Sequence, residues 1–344
     1  MERCVYCKTF FKRPIQASFL QCPTCRAILP QSNNYNTNVT SPNHYNGGVN
    51  NGYSYYIHPH VANNYHPPVY SPYGRRRAVV IGVSYNNNEK NRVYGSVNDA
   101  RSMSSFLIRS GFPIESIFVL TEEEKHPSQL PTKYNIQMAI RWLLYGSKSG
   151  DSLIFFFSGH GSRVSDTNGD EEDGYDESLC PFDYATQGKL LDDELNETLV
   201  RPLPYGAKLH AIIDACYSGT CLDLPFVSTT NKKGFLGWED QTISATYKGT
   251  FGGKARCFSA CADHESTLDT TALTGNYVTG AMTYSFIQAL QQTKGLLTYG
   301  HLLQTIRLKL VEVQQRQNSS NTITTVPQLS SNQMFDVHSE YFTM

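Results

Sequence analysis

One histidine and one cysteine in this chain stand where peptide-bond chemistry could be done. His160 lies in Ser158-Gly159-His160-Gly161-Ser162, and Cys216 in Asp214-Ala215-Cys216-Tyr217-Ser218-Gly219. Each closes an apolar run, DSLIFFFSG and KLHAIIDAC. A thiol is a weak nucleophile until it loses its proton, and a nearby imidazole can accept that proton. The same imidazole can then protonate a leaving amine. Glycines on both sides of His160 let a peptide backbone approach closely. The backbone N–H groups of Cys216 and Gly161 are candidates for holding a developing oxyanion. Alone, a buried cysteine or a strand-end histidine is commonplace. Together at the ends of successive apolar strands, beside glycine turns, they point to a nucleophile and its base.

Two further groups could bind metals. Cys4-x2-Cys7, fourteen residues and Cys22-x2-Cys25 is a zinc pattern. Four thiolates at about 2.3 Å can hold tetrahedral zinc, and so short a piece needs such a staple to fold. Residues 166–177, DTNGDEEDGYDE, carry seven carboxylates in twelve positions. That density repels itself unless it is solvated or holds a cation. Asp166, Asn168, Asp170 and Glu177 match EF-hand offsets, but Glu171 stands where that loop needs glycine, so an EF-hand is rejected.

Strands and helices must position these groups. From Gly74 onward the pattern alternates. RRRAVVIGVSY, SIFVLT, DSLIFFFSG, KLHAIIDAC and RCFSAC read as strands, and MFDVHSEYF as a late one. VNDARSMSSFLIRSGF, with Ala100, Met103, Phe106 and Leu107 on one face, reads as a helix, as does NIQMAIRWLLYGS with Ile136, Ile140, Leu143 and Leu144. GAMTYSFIQALQQ and YGHLLQTIRLKLVEV are two more. Alternation of this kind predicts an α/β fold, a mostly parallel sheet with helices on both faces and the site at the strands' carboxyl ends. Residues 31–74 contain no Lys, Arg, Asp or Glu but ten Asn and eight Tyr, and read as a disordered linker. The expected organisation is a zinc module over 1–30, that linker, and a catalytic domain over 75–344.

The 344 residues carry 29 Lys plus Arg against 30 Asp plus Glu, a net charge of −1. That balance argues against a basic nucleic-acid coat and against an acidic tail protein. In residues 1–30, Arg3, Lys8, Lys12, Arg13 and Arg26 are weak support for nucleic-acid binding, so a protein-interaction or autoinhibitory module is the expectation. No apolar run reaches the roughly 18 residues of a membrane span, and the start has no apolar signal core. Export is not expected, and the nine cysteines are expected as reduced thiols of the cytosol or nucleus.

SGHGS and DACYSG closely resemble the His and Cys motifs of the metacaspases, caspase-like cysteine proteases of plants, fungi and protists. The resemblance runs over about residues 75–344 and includes AVVIGVSY, PTKYNI, FDY followed by LLDDEL, FSAC and GAMTYSFIQAL. The N-terminal CxxC pairs, the low-complexity linker and the short stretch before FSAC look like a plant type I member, with a lesion-simulating-disease type of zinc finger. The segment FFKRPIQASFLQ departs from that finger's usual pattern.

The resemblance implies a caspase-like fold, with His160 and Cys216 as a catalytic dyad. It places Asp99, Ser158 and Asp214 in the pocket for the residue before the cut bond. Two carboxylates there would favour Arg or Lys and repel acidic side chains. It maps ligands of an activating calcium ion to Asp176, Asp192, Asp193 and Asp223, and an auxiliary role to Cys261. Ser96 stands where many relatives have cysteine. Lys232, Lys233, Lys248 and Lys254 lie in the stretch joining large and small caspase-like subunits and are candidate self-cleavage points. Roles in plant programmed cell death and stress response are implied. The competing readings are a legumain-type asparaginyl peptidase, which the Asp99/Asp214 pair and the missing signal core argue against, and a zinc-finger scaffold regulating related proteases.

Overall fold

The computed structural model describes residues 74–169, 174–230, 236–242, 247–260, 278–292, 296–316 and 326–344, and a few two-residue strands elsewhere. The chain divides into two units, residues 1–69 with His126–Ser128, and residues 70–125 with 129–344. In the first unit Glu2–Arg3 pairs antiparallel with Phe10–Phe11, and Leu20–Gln21 with Ile28–Leu29. Each CxxC pair falls between the two halves of one of these ladders in the sequence.

In the second unit, apolar runs form strands and the amphipathic segments cover them. In chain order the elements are β1 (Arg76–Gly82), α1 (Ser96–Arg109), β2 (Ile117–Thr121), α2 (Lys133–Leu144) and β3 (Ser152–Ser158). There follow β4 (Gly161–Ser165), β5 (Tyr175–Leu179), β6 (Leu190–Leu191), β7 (Lys208–Asp214), β8 (Phe226–Thr230), β9 (Leu236–Asp240) and β10 (Lys254–Ser259). The chain closes with α3 (Ala281–Gln292), α4 (Tyr299–Arg316) and β11 (Gln328–Ser331).

The main sheet runs β9-β8-β11-β10-β7-β3-β1-β2. Its five strands from β10 to β2 are parallel, while β8, β9 and β11 pair antiparallel. Alternate side chains point to opposite faces. Ala78, Val80, Ile154, Phe156, Ile212 and Phe258 share one core with apolar residues of α1, α3 and α4. Arg76, of the same parity, donates to the carbonyl of Ser110 at the end of α1. Arg77 points the other way and donates to the carbonyls of Trp142 and Tyr145 at the end of α2, at 2.9 and 2.7 Å. Two neighbouring arginines thus secure helices on opposite faces, each placing a cation at a helix C-terminus. In β3, Phe155, Phe156 and Phe157 are fully buried, about 1.5–3 kcal/mol of burial each.

One expectation is corrected. Met334–Phe342 is not a strand; the late strand is Gln328–Ser331. Asp336 turns the later segment by accepting from the N–H of His338, while Val337 and Phe342 bury their side chains. The antiparallel pairs β4–β5 and β8–β9 are additions to the predicted plan.

Candidate active site

The geometry begins in the register of two parallel strands. Asp214, the last residue of β7, pairs with Ser158, the last residue of β3. Cys216 and His160 each lie two residues further on. Neighbouring strands are about 4.8 Å apart, so the two side chains leave the sheet edge from adjacent, register-matched positions. Both are partly exposed. Tyr217, next to Cys216, has φ of 51°, a left-handed conformation that costs a non-glycine residue about 1–2 kcal/mol.

Gly161 begins β4 against the cysteine turn. A Cβ there would lie 1.8 Å from the carbonyl oxygen of Cys216, so only glycine fits. The N–H of Cys180 donates to the carbonyl of His160 at 3.0 Å. Gly161, paired with Leu179, therefore falls at a position where the antiparallel ladder makes no hydrogen bond, and its N–H points away from β5.

Two groups restrain the imidazole. His160 Nε2 lies 2.6 Å from the carbonyl oxygen of Asn91. A carbonyl only accepts, so in the neutral ring Nε2 carries the proton and Nδ1 holds the lone pair. Tyr85 stacks on the imidazole, with centroids 4.6 Å apart and planes at 29°. The Tyr85 hydroxyl accepts from the His160 N–H at 2.9 Å and donates to the Cys180 carbonyl at 2.6 Å. Burial raises its phenol well above the usual range, so it remains a donor. Tyr85 itself has φ of 54°. The Glu122 carboxylate fixes this turn by accepting from the N–H groups of Ser84, Tyr85 and Asn86.

Asp99, Ser158 and Asp214 come together below the dyad. Ser158 Oγ donates to Asp99 at 2.9 Å, Thr279 Oγ1 at 2.5 Å, and the N–H of Gly280 at 3.0 Å to each carboxylate oxygen. Asp214 accepts from the N–H and the hydroxyl of Thr283 at 2.8 and 2.7 Å. Both carboxylates thus sit at the N-terminus of α3, where a helix favours negative charge. Burial, with Asp214 alongside, still holds the Asp99 carboxyl well above its usual range. Ser96 is fully buried, and its hydroxyl has no hydrogen-bond partner among the described residues.

Three of the acidic residues, Asp192, Asp193 and Asp223, lie near one another in a second region. Asp176 and Asp192 are buried. Asp192 accepts from the N–H groups of Glu177 and Asp193, and burial pushes its carboxyl up to about 8. Asp193 and Asp223 are joined by Lys248, whose Nζ lies 2.6 Å from Asp193 Oδ1 and also contacts Asp223 Oδ2. Among the described residues no three acidic, His or Cys side chains form a ready-made metal cage. The donors are hard carboxylate oxygens, which suit calcium, and an ammonium group already stands among them. Cys4, Cys7, Cys22, Cys25 and Cys261, with Lys232 and Lys233, lie outside the described residues. Lys254 begins β10, where its N–H donates to Ala207.

Sequence reasoning singled out His160, Cys216, Asp99, Ser158 and Asp214, which the fold gathers at one edge of the sheet. It missed the Asn91 carbonyl, which has no side-chain signature, and Tyr85, which stood unremarked in AVVIGVSY. It also missed the Thr279, Gly280 and Thr283 donors and the place of Lys248 among the carboxylates.

A mixed sheet with helices on both faces and a His–Cys pair at its carboxyl edge defines a caspase-like cysteine endopeptidase. A family model described as metacaspase, peptidase C14 domain, matches residues 76–225. Metacaspase-3 of Arabidopsis thaliana is 50% identical over 283 residues, covering 80% of this chain and 78% of that one. Metacaspase-1 of the same plant is 40% identical over 373 residues, covering 100% and 96%. The chain belongs to the metacaspase family. A Geobacter sulfurreducens protein of known crystal structure shares the fold, with a TM-score of 0.51 at 19% identity over 76% of this chain and 95% of that one. Among the described residues no helix is long and apolar enough to cross a membrane.

Proposed function

We propose that this metacaspase is a calcium-dependent endopeptidase that cuts after Arg or Lys, with Cys216 as nucleophile and His160 as base. The observation that carries the reading is the Ser158–Asp214 register, which brings His160 and Cys216 to matched positions. Cys216 Sγ gives its proton to Nδ1 of His160 and attacks the carbonyl carbon. The oxyanion is met by the N–H groups of Gly161 and Cys216. As the C–N bond breaks, the imidazolium returns its proton to the leaving amine. Water, deprotonated by the same ring, then hydrolyses the thioester.

The raised Asp99 carboxyl supports the specificity. Two buried carboxylates side by side repel each other, and the cation of an Arg or Lys side chain of the substrate would relieve that repulsion. Calcium would be held by Asp176, Asp192, Asp193 and Asp223, neutralising the charge those residues concentrate. Self-processing would fall in the stretch holding Lys232, Lys233 and Lys248; cutting at Lys254 would first require opening β10. The CxxC spacing supports structural zinc on Cys4, Cys7, Cys22 and Cys25, in a module that binds regulatory proteins, and Cys261 is an auxiliary residue. Family membership supports action in the cytosol or nucleus during programmed cell death or stress.

Peptides ending in Arg, Lys, Asn or Asp, assayed with and without calcium, test the reading. Cleavage after Arg and Lys only, lost in Cys216→Ala and with chelator, is expected. Full turnover with chelator would remove calcium from the reading, and cleavage after Asn would favour a legumain-type pocket. Metal analysis of the full chain tests zinc.

A further inference from the structure

We propose that Tyr85 is the positioning residue of the imidazole, acting through both its hydroxyl and its ring. This rests on the reading of His160 as base. Tyr85 is 1% exposed, and its hydroxyl carries two hydrogen bonds. It is inserted into the β4–β5 ladder, between the N–H of His160 and the carbonyl of Cys180. In a regular ladder those two groups would bond each other, as the Cys180 N–H and the His160 carbonyl do. The insertion replaces one ladder bond at the residue that carries the base, and the ring covers one face of the imidazole. With Asn91 holding Nε2, the ring is restrained on one face and at one edge, and Nδ1 remains for the thiol. Together Tyr85 and Asn91 fix the plane of the ring that must take the proton of the thiol. Glu122 bonds three successive N–H groups of the turn that holds Tyr85 in its left-handed conformation.

Tyr85→Phe removes the hydroxyl and keeps the ring; Tyr85→Leu removes both. Each is assayed as the full chain with an Arg-ended peptide in calcium. The rate of Cys216 alkylation by iodoacetamide, read by mass spectrometry between about pH 5 and pH 9, reports the dyad without substrate. For Tyr85→Phe, kcat is expected to fall about 10- to 100-fold with KM little changed, and the alkylation profile to move along the pH axis. Tyr85→Leu should lose more, so that the Phe variant acts as a partial rescue. A folded Tyr85→Phe with wild-type kcat and an unmoved profile overturns the proposal. Should that variant not fold, Glu122→Gln is expected to give a smaller loss of the same sign, and its having none is equally fatal. If His160→Ala keeps wild-type kcat and profile, the reading of His160 as base has failed instead.

The acidic centre carries an independent inference. We infer that the Lys248 ammonium is an internal competitor of calcium, which must leave Asp193 and Asp223 before calcium can use them; this rests on the proposed calcium site. The ammonium is largely buried between the two carboxylates, with 11% of its side chain exposed. Its backbone is tied to the same region, since Asn196 Nδ2 donates to the carbonyls of Leu222, Asp223 and Lys248. A univalent cation and a divalent one cannot share these oxygens without strong repulsion. Displacement would free the side chain of one of the candidate self-cleavage lysines. Calcium binding to Cys216→Ala protein is measured by calorimetry, with and without Lys248→Met. Binding at least about fivefold tighter in the Met variant, with a larger calcium-induced rise in melting temperature, is expected. Equal or weaker binding overturns the competition. If neither protein binds calcium, the site itself is refuted, and the competition with it.

Discussion

Asp99 and Asp214 converge on a single glycine. A methyl group on Gly280 would lie 2.8 Å from an oxygen of Asp99 and 2.3 Å from one of Asp214. Helix α3 therefore begins against two carboxylates belonging to α1 and β7. Neutralising either should weaken selection of basic substrates while the helix start is kept. For Asp99→Asn and Asp214→Asn, the preference for Arg over Gln in matched peptides is expected to fall about 30-fold or more, about 2 kcal/mol. The ratio of the two kcat/KM values is the measurement, and an unchanged ratio would remove these residues from the pocket.

Gly161→Ala should separate the two halves of the dyad. The added carbon meets the Cys216 carbonyl oxygen at 1.8 Å, and backbone must move to relieve it. A displacement near 1 Å at a reacting group costs about 100-fold in rate, so at least that loss of kcat/KM is expected. Retained activity would mean that the β4 strand is not tied to the cysteine turn.

His210 should make the sheet acid-sensitive. It is fully buried in β7, its Nε2 lies 2.6 Å from the Tyr299 hydroxyl, and burial followed by Arg256 and Lys208 pushes it down to about 3. The unfolded side chain titrates near 6.5. The folded state stays neutral where the unfolded chain gains a proton. Stability from this group is thus present above about pH 6.5 and is lost as pH falls towards about 3, at up to about 1.4 kcal/mol per pH unit. His210→Gln should flatten that part of the profile, read as the wild-type minus variant difference in urea denaturation across the range.

Arg77→Met should leave the dyad untouched and loosen α2. The guanidinium binds carbonyls at the end of that helix and lies 5.5 Å from the Trp142 ring. A loss of about 1–3 kcal/mol in urea denaturation is expected, with kcat unchanged at 25 °C.

Much of this arrangement could be read in the sequence, for identifiable reasons. Strands buried on both faces are near-continuous apolar runs, so DSLIFFFSG and KLHAIIDAC declared themselves and carried His160 and Cys216 to one edge. The late strand failed because the rule runs one way. Leu329, Ser330 and Ser331 are buried in β11 although two of the three are small polar residues. Phe335, Val337 and Phe342 read as a strand but reach one shared core from a turn. The hairpin of β8 and β9 lacks a clean alternation, its second strand being Leu-Gly-Trp-Glu-Asp. Asn91 and Tyr85 reach His160 across 69 and 75 positions, through a backbone oxygen and a phenol whose partners exist only once the sheet has formed.

The equal two-residue steps from Ser158 to His160 and from Asp214 to Cys216 bear on how such a chain can vary. The separation of base and nucleophile is inherited from backbone phase, not from the identity of the side chains beneath. Aliphatic exchange within β3 or β7 can rewrite the floor of the sheet without moving the pair. One residue gained or lost at Gly159 or Ala215, just past the strand ends, would put one partner out of step with the other. Length changes are therefore tolerable where these strands enter the sheet and ruinous where they leave it.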